Sequence, residues 1–185
     1  MNKVGNVGNC IVTASGKYFD LFDPEPYMVD LFDIATGLSN QCRYVGQCPF
    51  YSVAEHCVHG LQYCERVGVD PRRWLLHDAH EAYTGDMSRP LKLLLRSFTT
   101  QFDTICDRVQ YAILRRFSMD GVGHTSDIKT VDNMLLKAEK RFLFPSDQTD
   151  WHGFDSIPDC EPTFRRWVPE EAFAQFMTAA ESLKL

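Results

Sequence analysis

Long apolar runs are absent from this sequence of 185 residues. No stretch approaches the ~20 apolar residues that a membrane-spanning helix requires, and the N-terminus lacks the apolar segment of a signal peptide. Hydrophobic residues still make up 44% of the chain, enough to bury the core of one compact domain. We therefore expect a cytoplasmic globular protein with no membrane partner.

An excess of basic charge is also missing. Lysine and arginine number 19 against 25 aspartates and glutamates, which gives a net charge of −6. Proteins bind DNA and RNA largely through the phosphates, so this balance argues against a nuclease and against any nucleic-acid partner. It leaves room for a local basic pocket that holds a single nucleotide.

Cysteine pairs of the C-x-x-C type are absent as well, although the chain has seven cysteines. Cys42 and Cys48 could form a zinc site together with His56 or His59. The alternative, which we favour, is a set of reduced thiols, several of them buried as small apolar side chains.

Helical periodicity dominates the pattern of apolar residues. We predict an all-α fold for a single domain over residues 1–185, with a small β-hairpin between Ile11 and Phe19. Residues 1–10 are rich in glycine and asparagine and should be loosely ordered, and residues 145–168 should form an irregular arm. No repeat, low-complexity tract or linker marks a second domain.

Capping residues predict where the helices start. Asp30 is a predicted N-cap, Ser52 and Glu55 form a predicted capping box, and Pro71 suits the first turn of a helix. Apolar residues at helical spacing predict the inward faces of the later helices, with Ile105 and Phe142 among them. The predicted helices begin near residues 30, 52, 71, 88, 98, 127 and 169.

The run from Leu75 to Asp86 places charged residues within an apolar, helix-favouring stretch. On a helix, Glu81 follows His77 by four residues and Asp78 by three, so all three would lie along one side. Imidazole and carboxylate together are ligands for a divalent metal ion, and the spare carboxylate is placed to handle a proton. A surface ion pair is the alternative for a His-Asp pair taken by itself.

Two further residues complete a pattern. His56 lies 21 residues before the His-Asp pair and Asp132 lies 54 residues after it, each in a separate predicted helix. In this order, and with the flanking segments 51–56 and 85–92, the chain from about residue 15 to about 144 resembles the HD-domain metal-dependent phosphohydrolases. Within that superfamily it is similar to the 5′-deoxynucleotidases and the phage dATP triphosphohydrolases.

The resemblance implies an HD-domain helical bundle whose metal ligands are His56, His77, Asp78 and Asp132. Zinc, cobalt and manganese all suit this mixed set of nitrogen and oxygen ligands. A further magnesium or cobalt ion could accompany the phosphates of a substrate. His59, three residues after His56, is an alternative ligand.

The resemblance also implies the acid–base residues. The similar deoxynucleotidases carry one carboxylate three residues after the His-Asp pair and another eight residues after it. Glu81 and Asp86 hold these positions here and are the predicted catalytic residues. For Asp86 the alternative is an N-cap of the next helix.

The predicted substrate contacts rest on the same resemblance. Arg43 and Tyr44 correspond to an arginine–aromatic pair that contacts the nucleotide, and Lys92 and Lys129 match lysines that contact phosphates in the phage enzymes. The base would stack on Tyr44, with Tyr83 among the alternatives.

These features predict an enzyme that hydrolyses 2′-deoxynucleotides by attack of metal-activated water on phosphorus. A 5′-deoxynucleotidase would release phosphate from a monophosphate; a triphosphohydrolase would release triphosphate from dATP or another dNTP, and the second lysine slightly favours it. The alternatives are a cyclic-nucleotide or guanosine-tetraphosphate hydrolase and a non-catalytic metal- or nucleotide-binding protein. An aromatic-rich C-terminal region also predicts a homo-oligomer, through Trp151, Phe154, Phe164 and Trp167.

Overall fold

The structure, a computed structural model, describes residues 7–119, 125–151, 153 and 156–185. The predicted all-α fold with a small hairpin is confirmed in this part of the chain. The helices are α1 (Leu31–Asn40), α2 (Val53–Val67), α3 (Pro71–Leu75), α4 (Glu81–Thr84), α5 (Arg89–Arg96), α6 (Gln101–Arg116), α7 (Ser126–Leu143) and α8 (Pro169–Ser182). The hairpin pairs β1 (Cys10–Val12) with β2 (Tyr18–Asp20), and short 3-10 turns occur at Val7–Asn9, Pro26–Met28 and Tyr44–Gly46.

The β-hairpin lies where the sequence predicts it. Ile11 pairs with Phe19, and Gly16 in the connecting turn has a φ of 79°, a left-handed conformation that glycine adopts without strain. Phe19 is fully buried and stacks on Tyr83 of α4, with 3.9 Å between the ring centroids. Tyr83 therefore belongs to the apolar core, and it does not offer a stacking surface to a base.

The predicted caps of the first two long helices are confirmed. The Asp30 carboxylate accepts a hydrogen bond from the Phe32 N–H, and the Ser52 hydroxyl accepts one from the Glu55 N–H at 3.0 Å. The Glu55 side chain does not complete the capping box, because it is fully buried and faces the irregular arm, residues 145–168. Its carboxylate accepts hydrogen bonds at 2.8–3.0 Å from three successive backbone N–H groups, those of Arg165, Arg166 and Trp167.

Helix α2 lies between two apolar clusters. On one side, Val53 and Cys57 pack with residues of α1, α6 and α8. On the other side, Tyr63 and Cys64 pack with residues of α3 and α7. Because both faces of α2 are covered, His56 is held in the interior and is fully buried.

Trp74 fixes the distance between α2 and α3. Its indole N–H donates to the Cys57 carbonyl at 2.7 Å, and its ring packs against Gly60 of α2. A Cβ atom on residue 60 would overlap the indole ring. The close approach of the two helices therefore requires glycine at this position.

The predicted irregular arm, residues 145–168, has no α-helix or β-strand in its described positions. Phe164 packs edge-on against Tyr51 at 5.6 Å, and Trp167 lies against the His59 ring at 5.1 Å. These aromatic side chains thus pack onto the chain itself. The predicted homo-oligomer stays a prediction.

Several details depart from the sequence-based expectations. Ile105 and Phe142 were expected to face inward, but both are exposed and neither belongs to the buried apolar clusters. Phe142 instead stacks on Phe164 of the irregular arm, with 4.6 Å between the ring centroids. Phe154 lies outside the described residues, as do residues 1–6 of the segment expected to be loosely ordered. None of the helices in the described ranges is long and apolar enough to cross a membrane.

Candidate metal centre and cavity

The His-Asp pair lies in a tight turn between two short helices. The sequence predicts one continuous helix here, and this prediction was wrong, since α3 ends at Leu75 and α4 begins at Glu81. Between them, the His77 N–H donates to the Trp74 carbonyl at 3.1 Å and the Glu81 N–H donates to the Asp78 carbonyl at 2.9 Å. These bonds span three residues instead of four, so the chain is wound more tightly than an α-helix.

Two distant glutamines hold this turn and the short helix α4 that follows it. The side chain of Gln110 accepts from the His80 N–H at 3.1 Å and donates to the Leu76 carbonyl at 2.7 Å. The side chain of Gln41 donates to the Glu81 carbonyl and accepts from the Asp86 N–H, both at 2.8 Å. In a continuous α-helix the His80 N–H would donate to the Leu76 carbonyl; here the Gln110 side chain binds both groups, so neither is left without a partner where the helix breaks.

The four predicted metal ligands converge from separate elements. His56 Nε2 of α2 lies 3.4 Å from Asp132 Oδ1 of α7 and 3.9 Å from Asp78 Oδ2 of the turn. His77 Nε2 lies 3.1 Å from the same Asp78 oxygen. The ligand atoms of His56, His77 and Asp132 lie within 4.8 Å of one another, and the Asp78 oxygen lies within 3.9 Å of both histidines. Two imidazole nitrogens and two carboxylates of this kind are a candidate ligand set for a divalent metal ion.

The hydrogen bonds of the two histidines favour metal binding through Nε2. His56 Nδ1 donates to Glu139 Oε1 at 2.6 Å, and His77 Nδ1 donates to the Trp74 carbonyl at 2.7 Å. Because these partners only accept, each Nδ1 carries the proton and each Nε2 can offer its lone pair. Within the described chain, the buried Nε2 of His56 makes no hydrogen bond, and a metal ion would satisfy it.

The charge of Asp78 favours a positive charge on its neighbour His77. Burial lowers the pKa of His77, but the charge of Asp78 and its hydrogen bond outweigh burial and raise this pKa well above the ordinary value. A divalent cation that replaces the proton would use the same attraction.

The alternative zinc site is not formed. His59 Nε2 lies 3.0 Å from Glu55 Oε1, away from the four converging ligands. No metal-binding cluster among the described residues includes Cys42 or Cys48. Cys57 does lie beside His77, but burial raises the pKa of its thiol and keeps it in the neutral form.

A cavity of about 1150 Å³ opens beside the converging ligands. Its walls carry Asp78 and Asp132 together with every predicted catalytic and substrate-binding residue, namely Glu81, Asp86, Arg43, Tyr44, Lys92 and Lys129. The volume exceeds that of many small-molecule sites and is sufficient for a nucleotide. The structure therefore brings together residues that span from position 43 to position 132.

Glu81 and Asp86 have unusual acid–base properties. Burial and the charges of Asp78 and Asp86 raise the pKa of Glu81 well above its ordinary value. The positive charge of Lys92 lowers this pKa but does not cancel the increase. Burial also raises the pKa of Asp86, against the effect of Arg43. Such carboxylates take up protons more readily than exposed ones do. The alternative role of Asp86 as an N-cap is excluded, since α5 begins three residues later, at Arg89.

The two predicted phosphate-binding lysines differ in their surroundings. Lys92 is partly buried, and its Nζ lies 3.2 Å from Glu81 Oε1. Lys129, on the first turn of α7, is exposed at the cavity wall. Arg43 is largely buried, with a guanidinium nitrogen 3.8 Å from Asp78 Oδ2. Three cationic side chains therefore line the cavity beside the candidate metal ligands, and Arg43 is near one of these ligands, Asp78.

Sequence reasoning missed Glu139 of α7. This fully buried carboxylate accepts from the Tyr44 hydroxyl at 2.6 Å, and Arg43 nitrogens lie 3.2 and 3.3 Å from it. Burial raises the pKa of Glu139, but the charges of Arg43 and His56 outweigh burial and lower it to about 2. The sequence does contain a signal that could have identified Glu139. This residue follows Asp132 by seven residues, which is two helical turns, so both residues lie on the same face of the helix.

Backbone strain marks the loop that carries Arg43 and Tyr44. Tyr44 and Val45 have φ values of 58° and 56°, in the left-handed region that non-glycine residues, and β-branched ones above all, rarely adopt. Strain of this kind persists where surrounding contacts enforce it. The contacts around this loop include the hydrogen bond from the Tyr44 hydroxyl to Glu139 and the edge-on packing of the Tyr44 ring against Phe144.

Comparison with known proteins identifies relatives. No protein-family model matches the sequence. The chain is 37% identical over 117 residues to the uncharacterized protein RCAP_rcc00048 of Rhodobacter capsulatus. This match covers 58% of the present chain and 58% of that protein. It is 32% identical over 175 residues to the uncharacterized protein YfdR of Escherichia coli (strain K12), covering 90% of this chain and 91% of that protein. The chain therefore belongs to the family of E. coli YfdR.

Proposed function

We propose that this protein is an HD-domain, metal-dependent phosphohydrolase of the cytoplasm that acts on 2′-deoxynucleotides. One observation carries the proposal: His56, His77, Asp78 and Asp132 converge from three separate elements at the wall of a cavity that also contains buried carboxylates and several cations. A surface ion pair would not recruit ligands from α2, α7 and the intervening turn. The order of the four residues along the chain adds the resemblance to the HD superfamily.

The metal would be held by the Nε2 atoms of His56 and His77 and by the carboxylates of Asp78 and Asp132. When bound, a divalent ion supplies a water of lowered pKa and polarises a phosphoryl oxygen. Zinc, manganese and cobalt all accept this ligand set. The hydrogen bonds at both Nδ1 atoms keep the two rings oriented toward the ligand position.

The carboxylates of the cavity would manage protons. Glu81 lies at the wall beside Asp78, and its raised pKa suits it to take the proton of the attacking water. Asp86, with a pKa raised in the same direction, would return a proton to the leaving oxygen. The Gln41 side chain holds the backbone of both residues, so their separation is fixed.

Arg43, Lys92 and Lys129 would hold the phosphate chain, since fixed cationic donors are what phosphate oxygens bind. Lys92 pairs with Glu81 at 3.2 Å, and a bound phosphate would compete for this lysine. The position of Lys129 beside Asp132 slightly favours a substrate with more than one phosphate. Tyr44 is our candidate for stacking on the base.

Chelation tests the proposal directly. After treatment with EDTA, we expect hydrolysis of deoxynucleotides to be lost, and we expect zinc, manganese or cobalt to restore it. A panel of dNMPs and dNTPs, with phosphate and triphosphate measured separately, would identify the substrate. Cyclic nucleotides and guanosine tetraphosphate belong in the same panel. Full metal occupancy without turnover of any nucleotide would contradict the proposal.

Glu81→Gln is expected to lower kcat by roughly 100- to 10,000-fold, because the amide cannot take up a proton. Glutamine has nearly the same size, and Glu81 is not a predicted ligand, so the metal content should stay unchanged. Steady-state kinetics and metal analysis of the purified variant provide the measurement. A kcat within threefold of the wild-type value would remove Glu81 from the reaction.

A further inference from the structure

The carboxylate of Glu139 joins two parts of the candidate site. One oxygen, Oε1, accepts from His56 Nδ1 at 2.6 Å. The other, Oε2, accepts from the Tyr44 hydroxyl at 2.6 Å and lies 3.2 Å from a terminal nitrogen of Arg43. A candidate metal ligand and both residues of the candidate substrate loop thus contact one side chain.

We propose that Glu139 is a positioning residue on which both metal affinity and nucleotide affinity depend. This inference rests on the proposed function and extends it to a residue that touches neither the metal position nor the substrate. Glu139 fixes the ring of His56, so that Nε2 points toward Asp132. It also anchors the loop of residues 43–46 in its strained conformation.

The chemistry of the three donors explains why a carboxylate is needed. An imidazole N–H, a phenolic O–H and a guanidinium all donate, and an ionised carboxylate has enough lone pairs to accept from all of them. An amide offers one acceptor oxygen, and its NH₂ group would face donors. Glutamine therefore keeps the volume of Glu139 but cannot satisfy this set of partners.

The location of Glu139 on α7 adds a geometric reason. Asp132 lies two turns earlier on the same helix, so one rigid element presents a ligand and also orients a second ligand. Hydrogen bonds from a histidine ligand to a neighbouring carboxylate generally fix the ring and raise its basicity. In this protein the same carboxylate reaches onward to the substrate loop.

Cobalt binding without nucleotide tests the inference apart from any activity. We expect Glu139→Gln to weaken Co²⁺ affinity by roughly 10- to 100-fold and to alter the visible absorption of the bound ion. Tyr44→Phe should leave Co²⁺ affinity within twofold, because the bond between His56 and Glu139 remains. In nucleotide titrations of the Co²⁺-loaded protein, both variants should bind more weakly than the wild type.

Glu55→Gln is the matched control. Glu55 is as fully buried as Glu139 and lies next to His56, but its partners are the arm backbone and His59. The Glu55→Gln variant should therefore leave the absorption spectrum of bound Co²⁺ unchanged. A Glu139→Gln protein that stays folded and binds Co²⁺ as the wild type does would overturn the inference, as would an equal loss in the Glu55 variant. A wild-type chain that binds no Co²⁺ would instead contradict the metal centre itself.

Discussion

Asp78→Asn is expected to lower deoxynucleotide hydrolysis by at least about 1000-fold, since it removes an anionic ligand from the candidate metal centre. The Asp78 oxygen Oδ2 lies 3.1 Å from His77 Nε2 and 3.9 Å from His56 Nε2, so a single carboxylate oxygen lies near both histidine ligands. Asparagine preserves the shape of the side chain but not its charge. The expected loss is therefore electrostatic, and added metal should restore little of it.

Asp33→Asn provides the comparison for this variant. Asp33 is a buried aspartate far from the candidate metal ligands, and it accepts from the N–H and hydroxyl of Ser15 at 2.7 and 2.8 Å, in the hairpin turn. Its substitution should cost some stability and leave kcat within twofold. Kinetics and metal content would be measured for both proteins. If Asp78→Asn kept more than a tenth of the wild-type rate at full metal occupancy, Asp78 would not be an essential ligand.

Gly60→Ala is expected to be the most damaging small substitution for the fold. The added methyl group would overlap the indole of Trp74, which is fully buried and cannot move without breaking its bond to the Cys57 carbonyl. We expect a loss of about 3 kcal/mol in the free energy of unfolding, or roughly 10 °C in Tm. Because the Trp74 carbonyl accepts from His77 Nδ1, the metal affinity should fall as well.

Urea denaturation with two companion variants would isolate the cause. Gly68→Ala introduces the same methyl group at a left-handed position with no atom within 4 Å, and it should cost only about 1 kcal/mol. Trp74→Leu combined with Gly60→Ala should cost less than the sum of the two single changes, because the smaller side chain relieves the overlap. Equal losses for the two glycine variants would show that contact with Trp74 is not the reason.

The parts of the fold that depend on local chemistry were predictable. Asp30 and Ser52 cap the helices as expected, because a side-chain oxygen needs only a backbone N–H two or three residues away. The break between α3 and α4 was not predictable from local residues. It depends on Gln110, which lies 34 and 30 residues from the Leu76 carbonyl and the His80 N–H that it binds.

The candidate site, like the fold, could be predicted from the sequence only in part. The residue types and order of His56, His77 and Asp132 were visible in the sequence, and the structure places them together. Glu139 was missed because a glutamate on a helix normally faces solvent, and only the folded chain shows that three donors surround it. Tyr44 was expected to stack on a base, but its hydroxyl also anchors it, a role that no spacing rule reveals.

The bonds between Glu55 and the arm have a consequence for how this family can vary. The carboxylate recognises residues 165–167 through their backbone N–H groups alone, so the identity of the side chains there is of little importance to the bond. The bonds themselves exclude only proline, which has no N–H to donate. Other contacts add restrictions, because Trp167 packs against the His59 ring and Arg166 has a left-handed φ of 53°.

We expect relatives to keep the length of this segment and to avoid proline in it, and to vary most at Arg165, whose contact with Glu55 is made by the backbone alone. A chain shortened before residue 165 would leave an acidic group in the interior without those three donors. The fold therefore requires the irregular arm, although the described positions of this arm contain no α-helix or β-strand.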